Sequence, residues 1–566
     1  MYIPTTKEEA QSLGWDRLDV ILVSGDTYID SPYMGVAVIG HVLMDAGYRV
    51  GIIAQPDIRD GRDIARLGEP ALFWGVTSGS VDSLVSNYTA TGKKRTDDDL
   101  TPGGRNVRRP DRAVIVYTNL IRQHFKNTVP IVIGGIEASL RRIAHYDFRD
   151  NKVRRSLLFD AKADILVYGM GERAVLDCAE TLKNNRDYRA IRGICYIAGD
   201  PVPGFIELPS YEHAARDRRA FAAMSRLFFD NGESSGSKGM VQKHGGRYLV
   251  HNPPAAPLTS QELDRVYEYE YERDIHPYYK RMGAVRALDT IQFSITTHRG
   301  CFGGCNFCSI AVHQGRFIIS RSEASIVREA KGFVKHPGFK GIIADIGGPT
   351  ANMYGMVCRT MAAKGPCPDR QCLGDYVCRS MSVSHKSQIS LLRKIRQIRG
   401  IRKAFVASGI RHDLVMADRD AGEEYLSEIV RHHVSGQLKV APEHCVERVL
   451  DLMGKPSIDS LLLFRDLYVR LNRQQGKRQF LTYYLIAAHP GCTLDDMKHL
   501  RGFMRNEFHI EPEQVQIFTP LPSTLSTVMY YTGRNPINGK TIFVERNSAE
   551  KERQKKALGR PGTKRK

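Results

Sequence analysis

Short apolar runs rich in β-branched residues recur from Asp19 to about Gly199: DVILVS (19–24), YRVGIIA (48–54), ALFWGVT (71–77), PIVIGG (130–135) and ADILVYG (163–169). Each is bounded by polar or glycine residues, and each is short enough for a strand buried on both faces. They predict five parallel strands. Between the first two, Val38, Ile39, Val42 and Ala46 fall on one helical face. Strands alternating with helices predict a doubly wound, Rossmann-like α/β domain over residues 1–199, where a ligand would sit at the carboxyl ends of the strands.

Residues 78–113 are polar and glycine-rich with clustered Lys and Arg, and read either as a loop that closes over a ligand or as a solvated insertion. From 200 to 288 the rhythm is lost around HNPPAAPLT (251–259) and YEYEYERDIHPYY, which suggests a connecting arm. A second α/β alternation follows, with candidate strands at 291–297, 341–346, 403–408, 437–441, 480–488 and 515–519. The helices between them carry their own periodicity, as in Ile326, Val327, Ala330, Phe333 and Val334 behind a Ser322 cap, or Leu391, Leu392, Ile395 and Ile398. Six βα units over 289–531 predict a partial barrel, open on one side to a large substrate. Residues 532–566 thin into a polar, basic tail expected to be disordered.

A chain of 566 residues is too long for one core. Its 42% hydrophobic and 25% charged residues are those of an ordinary globular protein. No stretch approaches the roughly 18 apolar residues of a membrane span, and the first residues lack the apolar core of a secretory signal. The expectation is a cytoplasmic protein with no membrane partner. The net charge of +20 favours a polyanionic partner, RNA first, although charge without a recognised binding module also fits a basic housekeeping enzyme. Eleven cysteines, an odd number, argue for metal binding or catalysis rather than a disulfide framework, and seven lie between Cys301 and Cys378.

The central motif is HRGCFGGCNFCSI (298–310), in which Cys301, Cys305 and Cys308 form C-x3-C-x2-C directly after the first predicted barrel strand. Three thiolates on one tight loop can hold three irons of a [4Fe–4S] cluster and leave the fourth iron open. An open coordination position is what separates a reactive metal site from a structural one. The competing reading is zinc, with His298 or His313 as a fourth ligand.

CFGGCNFC resembles the signature of the radical S-adenosylmethionine (SAM) superfamily, C-x3-C-x-aromatic-C, with Phe307 as the aromatic residue, and the six-unit domain resembles that superfamily's partial barrel. The resemblance implies that SAM chelates the open iron. It also assigns roles. ADIGGPTAN (344–352) stands where the superfamily has a glycine-glycine motif for the SAM amino group, which points to Gly347, Gly348 and Thr350, although Pro349 replaces the usual acidic residue. SGIRHD, KVAPEH and LIAAHPG lie at the next three strand ends, where the family binds the SAM carboxylate, ribose and adenine; Ser408, Arg411, Lys439 and Ala487 correspond. Glu443, His444 and His489 are expected at the same mouth as candidates for proton transfer. Shared segments such as GDTYIDSP (25–32), GGIEASLRR (134–142) and YYTGRNP (530–536) make nearly the whole chain similar to the bacterial YgiQ-type radical SAM group, a likeness that implies cofactor and fold but no substrate.

An α/β domain ahead of such a barrel is also the arrangement of cobalamin-dependent radical SAM enzymes. The D-x-H-x-x-G cobalamin motif is absent here, so a corrinoid ranks below a domain that shapes the active site or binds substrate. Cys358, Cys367, Cys372 and Cys378 form C-x8-C-x4-C-x5-C in an insertion at 356–380, enough ligands for zinc or a second iron–sulfur cluster, and equally readable as four reduced thiols. The leading expectation is an enzyme that takes one electron from a flavodoxin- or ferredoxin-like donor, cleaves SAM and modifies RNA. The alternatives are cobalamin-assisted methyl transfer to a small molecule, or a non-catalytic iron–sulfur protein that binds nucleic acid or senses redox state.

Overall fold

The five apolar runs form β1 (Val20–Ser24), β2 (Val50–Ala54), β3 (Phe73–Thr77), β4 (Ile131–Gly134) and β5 (Ile165–Val167). Neighbouring members pair in parallel in the order β2-β1-β3-β4-β5. In this computed structural model the chain divides into two units, Met1–Gln292 and Phe293–Lys566. The structure describes residues 1–232, 236–364, 367, 372–374 and 376–559.

The sheet does not stop at 199. β6 (Ile194–Ala198), β7 (Ile206–Leu208), β8 (Met240–His244) and β9 (Arg247–His251) extend it in the order β6-β9-β8-β7 to nine strands. β6 runs antiparallel to β5, and the β8–β9 hairpin turns at Gly245 and Gly246. The segment expected to be a connecting arm is therefore in part sheet. Its short strands alternate less regularly than the buried parallel ones, so the period was hidden among prolines and tyrosines.

Nor is 78–113 a free loop. Arg109 is fully buried between Asp26, 2.7 Å away after β1, and Asp98, 3.1 Å away within the segment. Its guanidinium also donates to the Ser78 carbonyl at 2.8 Å after β3. The strand ends are tied together as well. Gly25 donates to the Thr77 carbonyl, Ser80 N–H to Asp26, and Gln55 bridges Gly25 and Thr101. A side chain at Gly25 would strike the Ser78 carbonyl oxygen at 2.2 Å, which explains the glycine.

In the second unit the strands are β10 (Ser294–Thr296), β11 (Ile342–Ile343), β12 (Asp345–Gly347), β13 (Lys403–Ala404), β14 (Gln437–Glu443), β15 (Phe480–Ala487) and β16 (Gln514–Ile517). β11 and β12 are two halves of one interrupted predicted strand. All the pairings among these strands are parallel: β10 with β12, β11 with β13, Ile410 with Val440 as a single bridge, and β14-β15-β16. Along β14 and β15, Leu438, Val440, Tyr483, Leu485 and Ala487 pack into the helix layer. The alternate positions Lys439, Thr482 and Tyr484 are only half-buried, as are Thr296 and Asp345. A closed barrel fills this inner face with branched apolar side chains. Here it is polar.

The basic tail departs from expectation too. Ser548–Ala557 is a helix capped by Asn547, and its Gln554 side chain is buried and accepts from Ala488 N–H at 3.0 Å. Apolar periodicity does not announce this helix, because Lys551 and Gln554 make its buried contacts. Residues 560–566 lie outside the described residues. Among the described residues no helix is long and apolar enough to cross a membrane.

Both tryptophans of the chain, Trp15 and Trp74, belong to the first unit, so their fluorescence reports its unfolding alone. Arg109→Ala leaves the Asp26 and Asp98 carboxylates buried without their cation and is expected to cost about 3–5 kcal/mol, read as a lower denaturant midpoint of the tryptophan signal.

Candidate active site

The loop 300–308 follows β10 and is shaped by contacts that only its particular residues allow. Gly300 has φ +83°, and a Cβ there would sit 1.8 Å from the Phe317 carbonyl oxygen. The Gly300 N–H donates to the Gln314 side chain at 3.1 Å and the Cys301 N–H to the Gly315 carbonyl at 3.3 Å. At the other end, Asn306 N–H donates to the Met453 carbonyl at 2.8 Å and its amide to the Leu452 carbonyl at 3.1 Å. Those carbonyls end the helix Glu447–Met453, where the last C=O groups have no partner within the helix. The Asn306 carbonyl accepts from Ser526 N–H at 2.9 Å.

Cys301, Cys305 and Cys308 are half-buried and free of disulfides. Burial pushes the Cys308 thiol up to about 12, and Cys301 moves the same way. Ionised sulfurs in this pocket therefore need a positive partner, which iron supplies. A Cβ on Gly303 would stand 3.2 Å from the Cys301 Sγ, 3.6 Å from the Cys305 Sγ and 3.1 Å from the Arg411 Nη1. The glycine keeps open a cradle between two thiols and a cation, and the donor set fits an iron–sulfur cluster. Among the described residues, no three His, Cys, Asp or Glu are gathered to hold a single metal ion.

Arg411 is the nearest cation. Its Nε and Nη2 are held by Asp413 at 2.9 and 2.6 Å, and its Nη1 lies 3.8 Å from the Cys305 Sγ. Burial opposes both charges of this pair. Even so, the Asp413 carboxyl is brought down to about 2 by Arg411, and Arg411 is held above its ordinary value by Asp413 and then by the sulfurs of Cys305 and Cys301. The Arg411 backbone is clamped by Asn352, which donates to its carbonyl at 3.0 Å and accepts from its N–H at 2.8 Å. Asn352 in turn meets His385, itself 2.8 Å from Asp418. Sequence reading found Arg411 and missed Asn352 and Asp413, each the last residue of a quoted motif, and His385 and Asp418, which no motif marks. Asp413, two residues on in RHD, was the readable one.

Gly347 and Gly348 end β12 under close contacts. A Cβ on Gly347 would meet the Ser408 hydroxyl at 2.8 Å, and one on Gly348 the His298 ring at 2.6 Å. Thr350 follows with its hydroxyl 3.4 Å from the Cys301 Sγ. The Ser408 hydroxyl donates to Asp345, whose other oxygen accepts from the N–H groups of Ala407 at 2.7 Å and Ser408 at 3.0 Å. Asp345 thus positions Ser408, a role the sequence left unassigned.

Glu443 ends β14 with φ +69° at a register shift, an uncommon conformation for a non-glycine residue. Burial holds its carboxyl above the usual value, although Lys455 lies 3.4 Å away. Lys455 also donates to the Ala441 carbonyl at 2.6 Å and stands 5.9 Å from the centre of the Phe307 ring. Phe307 packs edge-on to His489, 6.2 Å between rings. Lys439 lies half-buried on the polar inner face beside Thr482. Ala487 points into the helix layer, away from that face, so only its backbone remains for a ligand.

His444 and His489 are corrections: both are fully buried and neither reaches an open mouth. His489 meets the Ser526 hydroxyl at 2.7 Å, and His444 accepts from Val446 N–H at 3.0 Å while its other nitrogen faces the Cys492 Sγ at 3.6 Å. Burial holds them at about 4 and about 3, so neither titrates near neutrality. Cys358, Cys372 and Cys378 lie in an apolar cluster that also contains Cys301 and Phe302, and the Cys367 carbonyl accepts from Arg316 at 2.8 Å.

Two outcomes follow from this geometry. Gly348→Ala drives a methyl into the buried His298 ring at an overpacking cost of about 1–3 kcal/mol, expected as a lower thermal midpoint of the second unit. His444 and His489 stay neutral in the folded protein while the unfolded chain protonates them below about 6.5. Stability of the second unit is therefore full above that pH and declines as pH falls toward 4, as amide exchange of β15 would report.

Residues 2–294 match the Radical SAM N-terminal family, and residues 513–560 match a domain of unknown function, DUF3362. The chain is 52% identical over 555 residues to a UPF0313 protein of Fusobacterium nucleatum, covering 98% of each. It is 50% identical to one of Methanocella arvoryzae, covering 98% of this chain and 92% of that protein. Among solved structures, the radical SAM methyltransferase TsrM of Kitasatospora setae with cobalamin and a [4Fe–4S] cluster bound shares the fold, with TM-score 0.52, 16% identity and coverage of 89% of this chain and 74% of that one. The cobalamin-dependent SAM radical enzyme OxsB matches with TM-score 0.50 and 12% identity, over 90% of this chain and 55% of its own. The chain belongs to the UPF0313 family and is a radical SAM enzyme.

Proposed function

We propose that Cys301, Cys305 and Cys308 hold the cluster with one iron open, and that this cytoplasmic enzyme uses it to modify a nucleoside in RNA. The observation that carries the reading is the Gly303 cradle, where two loop sulfurs and the Arg411 guanidinium face one space that a single methyl group would fill. When bound, the cluster and SAM supply one-electron cleavage of the sulfonium to methionine and a 5′-deoxyadenosyl radical, which takes hydrogen from the substrate. A flavodoxin- or ferredoxin-like protein is the proposed source of the electron.

The chain's own residues orient and shield. Gly347, Gly348 and Thr350 bring backbone and a hydroxyl close to the Cys301 sulfur, where a SAM amino group would bind. Arg411 sets a fixed positive charge beside the Cys305 sulfur, and the Asp413 bidentate contact stops it from swinging away. Lys439 and Ser408 offer a cation and a hydroxyl to the carboxylate and ribose. Glu443 and Lys455 are a buried acid–base pair behind Phe307, positioned to hold a proton. The net charge of +20 and the polar inner barrel face support a polyanionic, hydrogen-bonding substrate.

Cobalamin-assisted methyl transfer is the second reading, favoured by the fold shared with TsrM. The strand ends where a corrinoid tail would enter the first unit are instead filled by Asp26, Arg109 and Asp98. These residues do not fit that group.

Anaerobic reconstitution followed by dithionite and SAM is expected to yield 5′-deoxyadenosine from the native chain and none from Cys305→Ala. Nucleoside profiling of total RNA from a deletion strain is expected to show one modified nucleoside missing, and an unchanged profile would reject RNA as the substrate.

A further inference from the structure

The insertion after β12 places four thiols together by several independent contacts. Val357–Cys358 pairs antiparallel with Met381–Ser382, setting Cys358 opposite Met381. The Cys378 N–H donates to the Cys372 carbonyl at 3.0 Å, and a bridge between Leu373 and Val377 closes the turn between these two cysteines. The Met381 N–H returns to the Cys378 carbonyl at 2.9 Å. Cys367 is held from outside the insertion, where the buried Arg316 donates to its carbonyl at 2.8 Å. None of the four is in a disulfide.

We propose that Cys358, Cys367, Cys372 and Cys378 hold a second iron–sulfur cluster, ligated by protein on all four irons and therefore closed to SAM. Cys358 and Cys372 are buried in one apolar cluster with Cys378 packed against them, and Arg316 holds the Cys367 backbone beside it. The apolar contacts of the insertion come largely from Met353, Met356, Met361 and Met381. Methionine fills gaps without fixing a shape, so a segment this short gains its rigidity from an inorganic core. Four thiolates on a cubane leave excess negative charge, and Arg316 stands beside them. Gly315, the residue before Arg316, accepts the Cys301 N–H at its carbonyl, so the two centres are joined through adjacent residues.

The test counts metal in the full chain, reconstituted anaerobically with iron and sulfide. The native protein is expected to hold about eight irons and eight sulfides, two cubanes. The triple variant Cys301→Ala, Cys305→Ala, Cys308→Ala is expected to keep about half, with a reduced-state EPR signal indifferent to SAM. The double variant Cys358→Ala, Cys372→Ala is expected to keep the other half, with a signal that SAM perturbs. The proposal is overturned if the triple variant holds no iron, or if the native chain holds about four irons with or without one zinc. Those outcomes leave the radical cluster standing, and because the native chain and the triple variant decide them, misfolding of the double variant cannot obscure the result.

Discussion

Three cysteines serve one cluster only if the loop that bears them keeps its thiols turned to one side, and Asn306 is where that constraint is met. It lies between Cys305 and Cys308, and its backbone and amide cap the carbonyls that end the helix Glu447–Met453. Its own carbonyl is taken by Ser526. The opposite end of the loop is held by Gln314 and Gly315, with Gly300 in a conformation open to glycine alone. The Asn306 bonds join the loop to segments distant in sequence, so the proposed cluster site exists only when the barrel is assembled.

The electrostatics of the site follow from burial. Histidines 444 and 489 are neutral because water is excluded from them, which suits packing and leaves charge to Arg411, Asp413, Glu443 and Lys455. Arg411 is rigid because Asp413 takes two of its donors and Asn352 holds its backbone. A cation fixed in this manner stabilises negative sulfur without the reorganisation that a solvated lysine would need.

The two units use parallel strands in opposite ways. The carboxyl ends of β1, β3 and β4 are tied to one another and to the segment 78–113, with Arg109 sealing them. The second unit keeps its inner face polar and half-open, with Lys439, Thr482 and Tyr484 where a filled barrel has Val or Leu. The proposed chemistry therefore lies in the second unit.

Periodicity alone determined the parallel strands of both units, because buried strands and amphipathic helices each leave a repeating apolar signature. The spacing of Cys301, Cys305 and Cys308 carries the proposed cluster chemistry, since three thiols on one turn are a local property. Tertiary structure decided the rest. Strands β7 to β9 and the helix Ser548–Ala557 join their units through pairing and buried polar contacts that leave no apolar period. Asp345 bonds a backbone 62 residues away and the Asn306 amide one 146 residues away. His444 and His489, polar by type, lie in the packed interior. Burial is set by which elements meet, and one-dimensional spacing does not encode that meeting.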